Sequence, residues 1–313
     1  MPYAMSSVQG EKTYSDRPGE NMLYSDMGLF LTSAVHRTIK KPWGATCHAL
    51  LKAYRAAALL LLCTGTLVPA FLIGALPFIR KDARMRMRAR CMTLWARACC
   101  FLLGMRVITT GPVPVTSPIF IVSNHCSYLD ILVIGSLMPA VFISKDDVRS
   151  WPLLGLLTQL AGTVFVDRGS KSASVASMEE IRGRLRSGVN VVLFPEGTTN
   201  DGRGILDFKS TLFHVPAETD TPLLPVSLRY SHINSLPVTE ETKDIIAWYG
   251  DMEFLPHFRS LLGLRSITVR VRFAGPLYAA GQGRKVLSSH ACAHVRDGYE
   301  ALCTERDHFP AGP

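Results

Sequence analysis

The chain has 313 residues, 48% of them apolar and only 19% charged, with a formal net charge of +9. That length holds one large domain or two small ones, and the scarcity of charge points to contact with lipid or to a large core. A basic balance suits nucleic acid or an anionic membrane surface, and the position of the charge decides between them.

Residues 1–30 are polar and rich in Ser, Gly, Glu and Tyr. They lack the basic head and apolar core of a cleaved signal peptide, so residues 1–35 are predicted to form a disordered tail. Met22 and Met27 are further candidate start positions. Residues 36–110 are assigned to membrane anchoring. Within them Ala56 to Ile79 is a run of 24 residues without a charge, long enough to cross a bilayer as one helix. Gly65, Pro69, Gly74 and Pro77 lie in that run and are able to break it into two half-helices that enter and return. A single span and a hairpin in one leaflet therefore both stand, the span being preferred.

Arg80 to Arg90 carries six basic residues and one acidic residue among eleven. Cytoplasmic flanks of membrane helices collect Lys and Arg, which places this flank, and the catalytic domain with it, on the cytoplasmic side. Such a cluster also attracts anionic headgroups. Met92 to Met105 is a second apolar stretch, interrupted by Arg97, suited to lie in the interface with Trp95 at headgroup depth. The basic charge thus adjoins membrane-seeking sequence, and nucleic acid is not an expected partner.

Beyond residue 110 the texture changes, and 111–313 is read as one catalytic domain. Strands are predicted at Ile119–Ser123, Val141–Ser144, Thr163–Val166, Asn190–Phe194, Leu223–Arg229 and Ile267–Phe273, the last nearer a sheet edge. Helices are predicted at Tyr128–Leu137, with Ser127 as cap, and at Trp151–Leu160, Ala173–Arg186 and Arg284–Cys303. The alternation indicates an α/β fold: a mixed central sheet flanked by helices, preceded by a membrane helix or helical hairpin. In such sheets ligands bind beyond the strand carboxyl ends, where the polar motifs fall.

The first motif runs Asn124-His125-Cys126-Ser127-Tyr128-Leu129-Asp130. A His five residues before an Asp can turn back across a strand–helix corner so that the carboxylate meets one ring nitrogen. The other nitrogen is then a base for a hydroxyl proton. This is two thirds of a hydrolase triad, the substrate's own alcohol standing in for the serine. A structural His–Asp pair at a helix start is the plainer reading. The second motif is Asp167-Arg168-Gly169, an Arg just past a strand end and placed to bind a phosphate or carboxylate. The third is Phe194-Pro195-Glu196-Gly197-Thr198-Thr199. There Gly197 permits a tight turn, Glu196 is available to orient a cation or the acceptor hydroxyl, and Thr198 and Thr199 offer donors to an anion. The fourth is the strand Leu223–Leu228, whose Pro225 argues for a lip of the sheet over a central ladder position.

The eight cysteines include no CxxC pair, so neither a disulfide framework nor a zinc site is expected, and no metal is assigned. Reduced thiols facing a reducing compartment are expected.

His125 and Asp130, Arg168, Phe194 to Gly197 and the Pro225 strand occur in an order and spacing that resembles the glycerolipid acyltransferase family, over roughly residues 100–275. The resemblance implies an O-acyltransferase acting on a lysolipid, of which 1-acyl-sn-glycerol-3-phosphate is the expected acceptor. It implies His125 as general base, Asp130 as its orienting partner and Arg168 on the acceptor phosphate. Glu196 and Gly197, with Thr198, Thr199 and Lys209, would shape the acceptor site. The donor would be an acyl thioester on coenzyme A or acyl carrier protein, with no other cofactor. No covalent acyl-enzyme is implied, although Cys126 lies beside the base. The apolar helix from Trp151 would line an acyl groove or simply pack in the core.

Two positions depart from the family pattern. Many members have Arg where Thr199 stands, and Gly where Ser210 follows Lys209. One positive group near the headgroup is therefore missing, for which Arg203 or Lys209 is a candidate substitute. The Thr-Thr-Asn turn resembles branches that acylate lyso-ornithine lipid. That acceptor, an inactive lipid-binding protein on the same fold, and a thioester hydrolase are the alternatives. Membrane lipids and the acyl carrier are the expected partners, and the sequence assigns no oligomeric state.

Overall fold

The structure is a computed structural model that describes residues 44–113, 118–151, 153–166, 171–279 and 281–305. The tail assigned to 1–35 and the Arg168 motif lie outside the described residues.

The chain opens with two long helices, α1 (Ala45–Ala75) and α2 (Lys81–Leu102), packed together as a hairpin. α1 is long and apolar enough to cross a membrane, and it turns large apolar side chains outward, Leu61 at 71% and Phe71 at 67% exposure. Its N-terminal half is tied to the domain, because the buried Arg55 guanidinium donates to the carbonyls of Leu262 and Leu264. Its C-terminal carbonyls have no basic residue in the last turn. Arg84 of α2 supplies the missing cap, donating to the carbonyls of Gly74, Leu76 and Ile79 at 3.1 Å each.

α2 buries Met85, Ala89, Thr93, Ala96, Cys99 and Cys100, a stripe at three- and four-residue spacing that faces the domain. The apolar run forms one helix, unbroken through Pro69, and not two half-helices; the hairpin observed is the one α1 makes with α2. The stretch expected at the interface is instead largely a packing helix. Arg97, the interruption, donates Nε to the carbonyl of Ser136 in the last turn of α3 (Leu129–Leu137). Part of the basic flank is likewise structural, since Arg86 bonds the carbonyl of Ser187 and Asp82 accepts from its hydroxyl.

The sheet has the order β1-β8-β6-β2-β5-β3-β4. Its strands are β1 (Met105–Thr110), β2 (Phe120–Ser123), β3 (Ala140–Lys145), β4 (Val164–Val166), β5 (Asn190–Leu193), β6 (Leu223–Ile233) and β8 (Ile267–Phe273). A two-residue β7 (Leu236–Pro237) pairs back on β6. All neighbours along the order run parallel except β6 and β8, so the expected mixed α/β sheet is the one present. The domain begins earlier than residue 111: β1 pairs with β8 over its whole length, and it is β1, not β8, that forms the edge. Pro225 lies inside β6 opposite Val122, in a central strand. Its carbonyl accepts from Ala274 just past the end of β8. The absent N–H faces the same side, so the proline falls where the β8 ladder ends and only one bond of that last pair is made.

Helices cover both faces. α3 and α2 lie on one, where Gly135 sits against Ala96, Met92 and Phe142. On the other are α5 (Lys171–Arg186), α6 (His214–Thr219) and α8 (Arg284–Thr304). There Phe120, Val122, Val191 and Leu193 of the central strands pack with Met178, Ile181, Phe213 and Leu287. The helix expected at Trp151–Leu160 is present as α4 (Leu154–Ala161), starting three residues later, and a tight turn at Asp146–Ser150 precedes it. A Cβ on Gly155 would stand 2.3 Å from the carbonyl of Arg149, so only glycine fits this junction. α7 (Phe254–Leu261) was not anticipated.

Candidate active site

β2 and β5 are parallel neighbours with Val122 opposite Leu193, so the segments that follow them emerge side by side. One carries His125 and the other Phe194 to Asn200. The third motif grips the first: Glu196 Oε1 accepts from the His125 backbone N–H at 2.9 Å, and the N–H of Asn200 donates to the His125 carbonyl at 3.0 Å. The Phe194 ring stacks on the imidazole with centroids 4.0 Å apart and 11° between planes. Gly197 closes the turn with φ +75°, its N–H donating to the Phe194 carbonyl. Asn124 fastens the end of β2 to β6 through paired bonds to the N–H and C=O of Leu228.

His125 Nδ1 lies 2.8 Å from Asp130 Oδ2, with the imidazole side chain 17% exposed and the carboxylate 1%. Asp130 Oδ2 also accepts from the backbone N–H groups of Cys126 and Ser127 at 2.8 and 2.9 Å. The first-turn carboxylate thereby caps α3; Ser127, expected in that role, reaches Leu129 only at 3.4 Å. With a carboxylate on Nδ1, the proton sits there and Nε2 carries the lone pair. No described group bonds Nε2. The site can therefore accept a proton from a hydroxyl that reaches the exposed ring edge.

The structure revises several expected roles. Glu196 is 2% exposed, and besides His125 it takes bonds from Asn200 Nδ2 at 2.6 Å and from the Leu206 N–H at 3.1 Å. Burial pushes its carboxyl above the ordinary range, opposed by those bonds. Its oxygens are occupied, so it braces the base and does not orient a bound cation. Lys209 is exposed and its backbone N–H donates to the Pro195 carbonyl. Thr198 is exposed and Thr199 half-buried on the same turn. Arg203 is already paired with Asp201 at 3.0 Å and Glu240 at 2.8 Å, which makes it a poor substitute for an unpaired headgroup cation. Burial drives the Cys126 thiol well above its usual value, the nearby carboxylates adding to the effect, so it stays a neutral thiol. Among the described residues, no group of three or more His, Cys, Asp or Glu side chains is placed to hold a metal ion.

Sequence reasoning did not foresee Tyr230, whose hydroxyl donates to Asp130 Oδ1 at 2.6 Å from 100 residues away. It also missed an aromatic set beside the motif. Tyr128 makes edge contacts with Trp248, Phe254 and Phe258 and bonds His257 Nδ1 at 3.0 Å, while the backbone N–H of Trp248 donates to the Cys126 carbonyl. Trp151 joins this set through Trp248 and Phe254. These contacts join segments far apart in the chain, and no local pattern announces them.

The fold and site define a class: an α/β domain built around a hydrogen-bonded His–Asp pair and carried beside an exposed apolar helix. The model of the acyltransferase family matches residues 105–229. The lyso-ornithine lipid O-acyltransferase of Rhizobium meliloti (strain 1021) is 39% identical over 186 residues, 57% of this chain and 64% of that protein. The protein of the same name from Brucella abortus (strain 2308) is 35% identical over 195 residues, 60% of this chain and 73% of that one. The 1-acyl-sn-glycerol-3-phosphate acyltransferase of Neisseria meningitidis serogroup B (strain MC58) is 32% identical over 50% of this chain and 58% of its own length. In fold, the crystal structure of the 1-acyl-sn-glycerophosphate acyltransferase from Thermotoga maritima aligns with a TM-score of 0.61 at 19% identity, over 83% of this chain and 98% of that one. The chain belongs to the acyltransferase family. Together with these relatives, the apolar α1 indicates association with a membrane.

Proposed function

We propose that the chain moves a fatty acyl group from an acyl thioester, on coenzyme A or acyl carrier protein, to the free hydroxyl of a lysolipid. The observation that carries this reading is the His125–Asp130 pair, with Nδ1 held by a buried carboxylate and the imidazole side chain still partly exposed. His125 Nε2 takes the hydroxyl proton as the oxygen attacks the thioester carbonyl. The tetrahedral intermediate collapses, the C–S bond breaks, and the imidazolium returns the proton to the thiolate. Asp130 holds the ring and stabilises the imidazolium. The buried, neutral Cys126 thiol supports direct transfer without an acyl-enzyme. Arg168 is proposed as a contact to the acceptor headgroup, near Thr198, Thr199 and Lys209. α1 enters the bilayer as a single helix, with the basic residues of the hairpin on the cytoplasmic side. The half-exposed apolar face of α4, packed near α1, is a candidate wall for the acyl chain.

The first acceptor proposed is 1-acyl-sn-glycerol-3-phosphate. A second reading, lyso-ornithine lipid, is favoured by specific observations: Thr199 in place of an Arg, the paired state of Arg203, and two relatives named for that reaction. Purified enzyme in micelles, given each acceptor with an acyl thioester, should release thiol with only one of them at an appreciable rate. Release that persists in His125→Ala would overturn the mechanism, and release without any acceptor would make the chain a hydrolase.

A further inference from the structure

The geometry points to Tyr230 as a positioning residue that tunes the base through the far oxygen of Asp130; this rests on the acyl-transfer reading above. Three donors converge on Asp130 Oδ2: His125 Nδ1, Cys126 N–H and Ser127 N–H. Among the described residues the Tyr230 hydroxyl alone bonds Oδ1, at 2.6 Å, a short bond. Asp130 is wholly buried and Tyr230 is 7% exposed, so water does not compete for that oxygen. A second observation concerns the backbone. β6 pairs Tyr230 with Val269 but His232 with Thr268, which leaves Ser231 as the extra residue of a bulge directly after Tyr230. Bulges beside active sites re-aim side chains. Ser227 and Arg229 turn the other way and bond the carbonyls of Val295 and Leu302 in α8. Tyr230, on the opposite face, points to the helix that carries Asp130.

The bond acts on Asp130 in two ways. A neutral phenol that donates to Oδ1 draws negative charge away from Oδ2. It also fixes the carboxylate plane so that Oδ2 stays in line with Nδ1. Without that donor Asp130 would keep more charge on Oδ2 and be freer to turn away from Nδ1, so the grip on the ring would change. Among the described residues, His125, Cys126 and Cys100 of α2 are the ionisable groups that act on Asp130 or Tyr230, and Glu196 and Asp201 after β5 and Tyr299 of α8 act in turn with Cys126. Burial keeps the Tyr230 phenol neutral, Asp130 adding to the upward shift.

The test is the pH profile of kcat/KM for thiol release by the full chain in detergent micelles, with a lysolipid acceptor and an acyl thioester. Tyr230→Phe should move the acidic limb by about half a pH unit and lower kcat several-fold, with KM within about two-fold. A fluorinated tyrosine at position 230 keeps the shape and donates more strongly, so it should move the limb the opposite way. If Tyr230→Phe does not fold, judged by its melting curve, the fluorinated variant decides alone. Profiles that overlay on the unmodified enzyme, while His125→Ala abolishes release, would reduce Tyr230 to a packing residue and overturn the proposal. Release that survives His125→Ala would instead bring down the acyl-transfer reading, and this proposal with it.

Discussion

Around His125, polar groups are buried and bonded. Its N–H, its C=O and its Nδ1 all have partners, and Glu196 and Asp130 each accept three or more hydrogen bonds from described groups. Along α1 the arrangement is reversed. Large apolar side chains stand outward, and two arginines do the polar work: Arg55 ties the N-terminal half to the carbonyls of Leu262 and Leu264, and Arg84 caps the C-terminal carbonyls. The difference separates two requirements of the proposed reaction. Proton transfer needs a base held in one orientation, which only a saturated network provides. Meeting a bilayer substrate needs apolar surface left uncovered, which a soluble domain would bury.

Breaking the corner should have the largest effect. His125→Ala should lower thiol release roughly 1,000-fold, and Asp130→Asn should lower it by about 100-fold or more, in a steady-state assay with saturating substrates. Next comes the brace. Glu196→Ala orphans three donors, on His125, Asn200 and Leu206. It should cost on the order of 3 kcal/mol or more, read from the denaturant midpoint, with activity falling alongside. Lys at both Leu61 and Phe71 should sharpen the contrast from the other side. Sedimentation with anionic liposomes should fall at least about ten-fold, because each exposed apolar side chain contributes on the order of 1.5 kcal/mol when buried in lipid. Turnover in detergent should stay within about two-fold. The smallest effect is expected from Cys126→Ala, with release within about three-fold of the parent, since the thiol is buried and held neutral. A near-complete loss there would revive a covalent route.

Much of this was legible locally. The His125–Asp130 spacing, the strand before it and the apolar run of α1 are all short-range patterns, set by side-chain type and periodicity. Misreadings came where a residue's role is settled by a distant partner. Met105–Thr110 is short and follows an apolar helix, and only pairing with β8 makes it a strand. Arg97 interrupts an apolar stretch because α3 offers it a carbonyl. Glu196 looked available for substrate, yet the parallel register of β2 and β5 brings His125 to it and uses up its oxygens.

By itself, then, the chain's order of residues determined which groups were able to do acid–base chemistry and which segment sought lipid. Both follow from chemical identity and spacing along a strand, a turn or a helix. The tertiary structure alone decided what those groups face. It put Tyr230 on the far oxygen of Asp130, Phe194 on the imidazole and α2 between the apolar helix and the sheet. The reason is that packing and strand register join positions a hundred residues apart, and no local periodicity encodes that adjacency.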